Sequence, residues 1–126
     1  MAYPLLLASR NPDKIAELKA ILAPFEVRIH TLLDFPGFPD TDEDQPSIFG
    51  NAMKKALEGA RLTEMLCLAD DTGLFIDALD GAPGVFSARY AGEECSYQDN
   101  LRKVLLQMQD ITDRNAHFET AAALAD

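Results

Sequence analysis

Two adjacent aspartates followed by a threonine and a glycine, Asp70-Asp71-Thr72-Gly73, are the residues whose types point most directly to chemistry. They follow a short apolar run, Leu66-Cys67-Leu68-Ala69, that is typical of a buried strand. Because open α/β sheets bind ligands at the carboxyl ends of their strands, we expect both carboxylates to project from such an edge. One aspartate could then bind a metal ion while the other binds through water or activates a nucleophile. Two aspartates before a glycine also form a common turn, so this segment alone leaves both interpretations open.

A polar segment after the first apolar run of the chain is a second candidate site. Its residues are Ser9, Arg10, Asn11, Pro12, Asp13 and Lys14. Asn11 can cap a helix that begins with Pro12, and the N–H groups and dipole at a helix N-terminus favour an anion such as phosphate. Ser9 and Asn11 can donate hydrogen bonds to that anion, and Lys14 adds a full charge. An ordinary capped helix with a solvated lysine would contain the same residues.

An acidic loop in the middle of the chain is a third candidate. It contains Asp40, Asp42, Glu43 and Asp44. One of these carboxylates could reach a cation shared with Asp71, although a solvated acidic loop is the commoner explanation of such a cluster. On the helix predicted after the loop, Asn51 and Lys55 are of types that lie on a surface more often than in a site. A tight turn, Asp80–Gly84, leads to Arg89 and suggests a close backbone path beside a ligand.

The elements that must position these residues alternate between strand and helix. Apolar runs and turn residues predict strands at 3–8, 26–30, 66–69 and 74–78, helices at 12–23, 47–65 and about 96–108, a long loop at 34–46, and a strand or short helix at 118–124. The third helix begins at a capping box, Ser96-x-x-Asp99. This order predicts a single α/β domain over residues 1–126, with a mixed or mostly parallel sheet flanked by helices.

Composition and charge exclude several classes of protein. The chain has 126 residues, 48% of them hydrophobic, with 11 basic and 21 acidic side chains and a net charge of −10. Such a charge argues against a protein that follows a nucleic-acid backbone, and no apolar run reaches the roughly 18 residues of a membrane span. The N-terminus lacks a signal sequence, so we expect a cytoplasmic protein. Cys67 and Cys95 lie in no metal-binding spacing and are predicted to be free thiols.

Four segments, in this order, closely resemble motifs of the inosine/xanthosine triphosphate pyrophosphatase family. They are Ala8–Lys14, Phe49–Ala56, Leu68–Leu74 and Gly81–Gly92. The resemblance extends over nearly the whole chain and implies a pyrophosphatase-like α/β fold, a Mg²⁺ cofactor and a homodimer. It also implies the family's reaction, in which deaminated purine nucleoside triphosphates such as ITP, dITP and XTP are hydrolysed to the monophosphate and pyrophosphate.

The resemblance also implies roles for single residues. Ser9 to Lys14 would hold the triphosphate, Lys14 and Lys55 would supply charge, and Thr72 and Arg89 would make further substrate contacts. Glu43 matches the family's metal-binding glutamate and Asp71 its metal-bound catalytic aspartate. Asp71 would serve as the general base for a water that attacks the α-phosphorus, and Asp70 would support the metal shell or orient Asp71.

The chain departs from the family pattern at its C-terminus. Family members continue beyond the point that corresponds to Asp126, and the additional part carries the residues that read the purine base. We therefore expect a truncated domain that keeps the phosphate and metal half. Two alternatives stay open. One is an inactive remnant that binds triphosphate or metal weakly and self-associates. The other is a nucleotide pyrophosphatase of the septum-formation-inhibitor type, which the Asp70–Gly73 and Ser87–Tyr90 motifs disfavour.

Overall fold

The computed structural model describes residues 2–126, and within them the chain forms four β-strands and three α-helices. In chain order these are β1 (Tyr3–Leu7), α1 (Pro12–Leu22), β2 (Val27–Thr31), α2 (Ile48–Thr63), β3 (Leu66–Ile76), α3 (Tyr97–Gln107) and β4 (Ala116–Ala125). Short 3₁₀ segments occupy Leu32–Asp34, Asp77–Leu79 and Gly84–Arg89. The long loop between β2 and α2 and the strand at the end of the chain follow the pattern predicted from the sequence.

The four strands form one sheet in the order β2-β1-β3-β4. β1 pairs in parallel with both β2 and β3, whereas β4 runs antiparallel to β3. The predicted α/β class with a mixed sheet is therefore confirmed. No helix among residues 2–126 is long and apolar enough to cross a membrane.

β3 differs from the sequence prediction at the functionally suggestive segment. The sequence predicts one strand that ends at Ala69 and another that begins at Leu74, but β3 runs without a break through Asp70–Gly73. That prediction is wrong because β4 pairs with β3 along its whole length from Cys67 to Ile76 and keeps the polar segment extended.

The sheet nevertheless has an open edge beside the two aspartates. β1 ends at Leu7, whose partner on β3 is Leu68, and the last backbone bond between these two segments runs from the N–H of Ala8 to the carbonyl of Leu68. From Asp70 onward, β4 is the only strand among residues 2–126 that pairs with β3, apart from an isolated bridge between Phe75 and Pro83. The carboxylates therefore lie just beyond the carboxyl end of β1. Open α/β sheets bind ligands at such strand ends.

Helix caps predicted from the sequence are present. The Asn11 side chain accepts hydrogen bonds at the start of α1, with Pro12 as the first helical residue. Ser96 and Asp99 form a capping box at the start of α3. These caps fix where α1 and α3 begin, and α1 in particular starts within the polar segment Ser9–Lys14 that was predicted to bind phosphate.

The core lies between α2 and one face of the sheet. Ala52, Ala56 and Ala60 of α2 are buried against Leu6 and Cys67. Small residues allow the helix to approach closely. A Cβ atom added at Gly59, for example, would lie 2.4 Å from the Cys67 sulfur. Cys67 and Cys95 are both free, as predicted.

The opposite face of the β3-β4 ribbon is open. Phe118 and Leu124 of β4 are 73% and 60% exposed. Between this face and α1 lies a groove of about 460 Å³, whose apolar walls include Leu18, Ile21 and Phe118. β3 therefore separates a covered face, under α2, from an open face, beside α1.

Candidate functional site

Asp70 and Asp71 point to opposite faces of β3, because side chains alternate along a strand. Asp71 faces the side of the sheet covered by α2, where its Oδ1 lies 3.7 Å from Lys55 Nζ. Asp70 faces the side beside α1, where its Oδ2 accepts a hydrogen bond of 2.6 Å from Lys14 Nζ. The two adjacent carboxylates thus have different lysine partners.

On the covered face, the carboxylates of Glu43 and Asp71 both contact one ammonium group. Lys55 Nζ lies 3.2 Å from Glu43 Oε1 and 3.7 Å from Asp71 Oδ1. Its side chain comes from α2, while Glu43 comes from the acidic loop and Asp71 from β3. The structure therefore brings together Glu43, Lys55 and Asp71, which the resemblance named separately as a metal ligand, a source of positive charge and the catalytic aspartate.

The surroundings of Asp71 disfavour its ionised form. Burial raises the pKa of the Asp71 carboxyl above its ordinary value, and the nearby negative charge of Glu43 raises it further. The positive charge of Lys55, the Thr72 backbone and the Asn51 amide act in the opposite direction and lower this pKa. A carboxylate with a raised pKa holds a proton more tightly, which suits a general base.

Glu43 is also held by Arg89. Arg89 Nη2 donates a 2.6 Å hydrogen bond to the Glu43 carbonyl, and Nη1 lies 3.3 Å from Glu43 Oε2. Arg89 ends the 3₁₀ segment Gly84–Arg89, which packs under β3. Gly73 permits this packing, since an added Cβ there would lie 2.6 Å from the Gly84 carbonyl oxygen. Arg89 was predicted to contact substrate, and in this structure its guanidinium group binds Glu43.

On the open face, Lys14 and Asp70 form a partly buried ion pair, with side-chain exposures of 27% and 17%. Thr72 lies on the same face, and its hydroxyl is 2.9 Å from that of Thr120 on β4. Asp70 also contacts the second lysine, because its carbonyl oxygen accepts a 2.6 Å hydrogen bond from Lys55 Nζ. That carbonyl points to the edge that β1 leaves free. Both lysines therefore meet at Asp70.

The polar segment before α1 satisfies most of its own backbone donors. Asn11 Oδ1 accepts hydrogen bonds from the N–H groups of Asp13 and Lys14, and Ser9 Oγ accepts one from the Asn11 N–H. The contacts that an anion could gain here come from side chains: the hydroxyl hydrogen of Ser9, the amide hydrogens of Asn11 and the ammonium of Lys14.

Arg10 of the polar segment holds the acidic loop close to the start of α1. Arg10 Nη1 lies 2.6 Å from Asp40 Oδ1, and Nη2 of Arg10 donates to the Phe38 carbonyl. A cleft of about 320 Å³ opens between the loop and the end of β1, with Ser9, Arg10 and Lys55 among its lining residues. Lys55 thus lies where this cleft meets Glu43 and Asp71.

The covered face offers two carboxylate ligands to a divalent cation such as Mg²⁺. Glu43 and Asp71 supply hard carboxylate oxygens of the kind that Mg²⁺ prefers, and both face the same point. The Asp70 carboxylate is on the other face and does not join them. Among residues 2–126, no group of three or more His, Cys, Asp or Glu side chains converges on one point. The fit is therefore that of a cation held by two carboxylates and completed by water or substrate phosphates, which is usual for Mg²⁺.

Asn51 is the residue of this region that sequence reasoning missed. We expected a surface position, but Asn51 is only 1% exposed. Its Oδ1 accepts a 3.0 Å hydrogen bond from the N–H of Gln45, and its Nδ2 has no partner of normal geometry in the described part of the chain. The spacing contained a signal, since residues i and i+4 share a helix face and Asn51 precedes Lys55 by four.

Comparisons with known proteins agree with the fold and with the motifs. The Ham1 family profile matches residues 5–126. A dITP/XTP pyrophosphatase of Exiguobacterium sp. is 45% identical over 121 residues, which are 96% of this chain and 62% of that protein. A dITP/XTP pyrophosphatase of Streptomyces coelicolor is 47% identical over 126 residues, with 96% and 62% of the two chains covered.

Solved structures give the same result. A HAM1 protein from Coxiella burnetii superposes with a TM-score of 0.86 at 39% identity, covering 97% of this chain and 62% of that one. A nucleoside-triphosphatase / dITP/XTP pyrophosphatase from Mycobacterium abscessus gives a TM-score of 0.80 at 41% identity, with 97% and 65% covered. The chain spans about 62% of the length of the Exiguobacterium and Streptomyces relatives. By the family profile, these identities and these superpositions, the chain belongs to the Ham1 family.

Proposed function

We propose that this chain carries the phosphate- and metal-binding part of a pyrophosphatase that acts on deaminated purine nucleoside triphosphates such as ITP, dITP and XTP. The observation that carries the proposal is the convergence of Glu43, Lys55 and Asp71 beside the polar segment that starts at Ser9. The names of the similar proteins, dITP/XTP pyrophosphatases, support the substrate class.

In the proposed reaction, a water oxygen bonds to the α-phosphorus while the bond from that phosphorus to the bridging oxygen breaks and pyrophosphate leaves. Asp71 accepts the proton of the attacking water. Without a bound cation, burial and the neighbouring charge of Glu43 raise the pKa of its carboxyl. Positioning the water against the phosphorus supplies much of the remaining rate enhancement.

The positive charges act on the phosphates. Lys55 lines the cleft beside Ser9 and faces the phosphate chain directly, while Lys14 approaches from the α1 side and exchanges its contact with Asp70 for a phosphate oxygen. Both lysines stabilise the charge that develops on the leaving pyrophosphate. The hydroxyl of Thr72 and the side chains of Ser9, Arg10 and Asn11 complete the substrate contacts in this proposal.

Glu43 and Asp71 would hold Mg²⁺, and when bound the ion would neutralise phosphate charge and polarise the attacking water. Asp70 would orient the site indirectly, by holding Lys14 and Lys55, rather than as a metal ligand. The homodimer that the resemblance implies and the cytoplasmic location expected in the sequence analysis stay predictions.

Pyrophosphate release by the purified 126-residue chain tests the proposal, with ITP, XTP, GTP and ATP as substrates. Reactions are run in Mg²⁺ and in EDTA, with Asp71→Asn as the blank. We expect release from ITP and XTP that depends on Mg²⁺ and is absent from the blank. Binding of ITP without release would contradict catalysis by this chain and favour the inactive remnant. A preference for pyrimidine or methylated triphosphates would favour the septum-formation-inhibitor type.

A further inference from the structure

Asn51 has a hydrogen-bonding arrangement that its role in the core does not explain. The residue is 1% exposed, and only one end of its amide is used: Oδ1 accepts the N–H of Gln45 at 3.0 Å. Its Nδ2 is buried without a hydrogen-bond partner of normal geometry among residues 2–126. Buried amide groups without partners are rare because desolvation then goes uncompensated. An apolar residue of similar size would fill the space without that cost.

The position of Asn51 on α2 directs it to the segment that contains Asp71. Three residues before it, the Ile48 side chain packs so close to Gly73 that a Cβ there would lie 2.8 Å from Ile48 Cδ1. Four residues after it, Lys55 Nζ lies 3.7 Å from Asp71 Oδ1. Asn51 therefore faces β3 between these two contacts. This placement agrees with the direction in which the Asn51 amide acts on the Asp71 carboxyl, whose pKa it lowers.

The acceptor end of Asn51 holds the loop that supplies Glu43. Gln45, its partner, lies two residues beyond Glu43. On the other side of the loop, Arg89 Nη2 donates to the Glu43 carbonyl at 2.6 Å. These two bonds fix the loop backbone on both sides of Asp44 and determine where the Glu43 carboxylate lies.

We propose that Asn51 is a positioning residue that sets the separation of the Glu43 and Asp71 carboxylates, with Oδ1 holding the Glu43 loop and Nδ2 directed at the Asp71 carboxylate. One amide thus connects α2 to both carboxylate-bearing segments. The part of this inference that concerns a cation rests on the proposed function, whereas the part that concerns the Nδ2 contact does not.

The contact between Asn51 and Asp71 is tested first, without any Asn51 variant and without activity. The side-chain NH₂ resonances of Asn51 are recorded by ¹⁵N NMR in EDTA for the parent, Asp71→Asn and Asp70→Asn. We expect the resonances to shift in Asp71→Asn and to stay within the parent's line width in Asp70→Asn, whose side chain faces the other side of β3. Equal shifts in both variants, or none in Asp71→Asn, would overturn the inference.

The effect on cation binding is tested with Asn51→Leu, which keeps similar volume but removes both ends of the amide. Titration calorimetry with Mg²⁺ alone is expected to show an affinity at least about tenfold below that of the parent, the usual effect of losing a residue that orients metal ligands. Hydrogen exchange at the Gln45 amide should also become faster. Thr63→Val is the matched control, because it removes a polar contact from the far end of the same helix, the 2.6 Å bond from Thr63 Oγ1 to the Gly59 carbonyl. It should bind Mg²⁺ like the parent.

Failure of the two proposals can be distinguished. A parent chain that binds no Mg²⁺ would contradict the proposed function, and the NMR comparison would then decide the role of Asn51 by itself. A parent that binds Mg²⁺ while Asn51→Leu binds it equally well would contradict the positioning role and leave the proposed function intact.

Discussion

Asp70 and Asp71 are neighbours of the same type and similar exposure, with 17% and 14% of their side chains accessible, yet the two faces of β3 give them different chemistry. On the open face, the Asp70 carboxylate pairs with one lysine, Lys14, at 2.6 Å. On the covered face, Asp71 shares its lysine with a second carboxylate, Glu43, at a longer distance of 3.7 Å. The two aspartates therefore differ more in their partners than in the exposed fraction of their side chains.

The comparison assigns different roles to the two faces. On the covered face, burial and the negative charge of Glu43 both raise the pKa of the Asp71 carboxyl and so favour its protonated form. On the open face, Lys14 neutralises the negative charge of the Asp70 carboxylate. The same ion pair keeps Lys14 at the edge of the sheet. Catalysis belongs to the first face in this account, and placement of positive charge to the second.

The largest expected effect is that of Asp71→Asn on turnover. The substitution keeps the shape of the side chain but removes the proton acceptor and one cation ligand. We expect kcat for pyrophosphate release from ITP to fall by about 10²–10⁴-fold, the usual contribution of a general base. Steady-state kinetics with Mg²⁺ measures this. Unchanged kcat would show that the covered face is not the catalytic one.

Asp70→Asn should have a smaller effect of a different kind. It releases Lys14 from its 2.6 Å ion pair but leaves the covered face untouched. We expect KM for ITP to rise by about tenfold, equivalent to about 1.4 kcal/mol of binding, with kcat little changed. A loss of kcat as large as that of Asp71→Asn would break the distinction between the two faces.

Gly73→Ala tests whether the covered face depends on close packing. The added Cβ would lie 2.6 Å from the Gly84 carbonyl oxygen and 2.8 Å from Ile48 Cδ1, so backbone or core side chains must move. We expect the free energy of unfolding to fall by about 1–3 kcal/mol in urea denaturation. Gly37→Ala is the matched control, because a Cβ there meets nothing within 4 Å. Equal stability of the two variants would mean that β3 and the 3₁₀ segment pack loosely.

Thiol labelling compares the reactivity of a cysteine on the covered face with that of a cysteine elsewhere in the chain. Cys67 lies on that face with no exposed surface, and burial raises the pKa of its thiol to about 11. Cys95 is only partly buried. At pH 8 we expect a disulfide reagent to modify Cys95 in the native chain and Cys67 only after denaturation. Rapid reaction of both thiols in the native chain would indicate that α2 does not cover β3 stably.

Sequence reasoning reached the helices and the mixed sheet, because these follow from local periodicity and caps. It named Asp71 from its place after an apolar run and Glu43 and Lys55 from the motif resemblance, and the structure places the three side chains together. Sequence reasoning did not find the continuity of β3, since antiparallel pairing with β4 depends on a segment more than forty residues away in the chain. Pairing with β4 overrides the local propensity for a turn at Gly73.

Two further features depend on which side a residue faces. The register of β3 decides that Asp70 and Asp71 have different partners, and a one-residue shift would exchange their roles. The burial of Asn51 depends on the close approach of α2 to the sheet that Gly59 permits. Both features are set by tertiary packing, and the i, i+4 spacing of Asn51 and Lys55 was the one local signal for the second.

The most direct test of the difference between the two aspartates is urea unfolding of the parent, Asp71→Asn and Asp70→Asn in EDTA, at pH 7 and near pH 3. Folding raises the pKa of Asp71, so its ionised form lowers stability above that pKa, and this penalty disappears as pH falls below the ordinary carboxyl value. The account predicts that at pH 7 Asp71→Asn is more stable than the parent while Asp70→Asn is less stable by about 1 kcal/mol, through loss of its ion pair with Lys14. Near pH 3 the advantage of Asp71→Asn should vanish. Changes of the same sign and size at pH 7 would contradict the assignment of opposed roles to the two faces of β3.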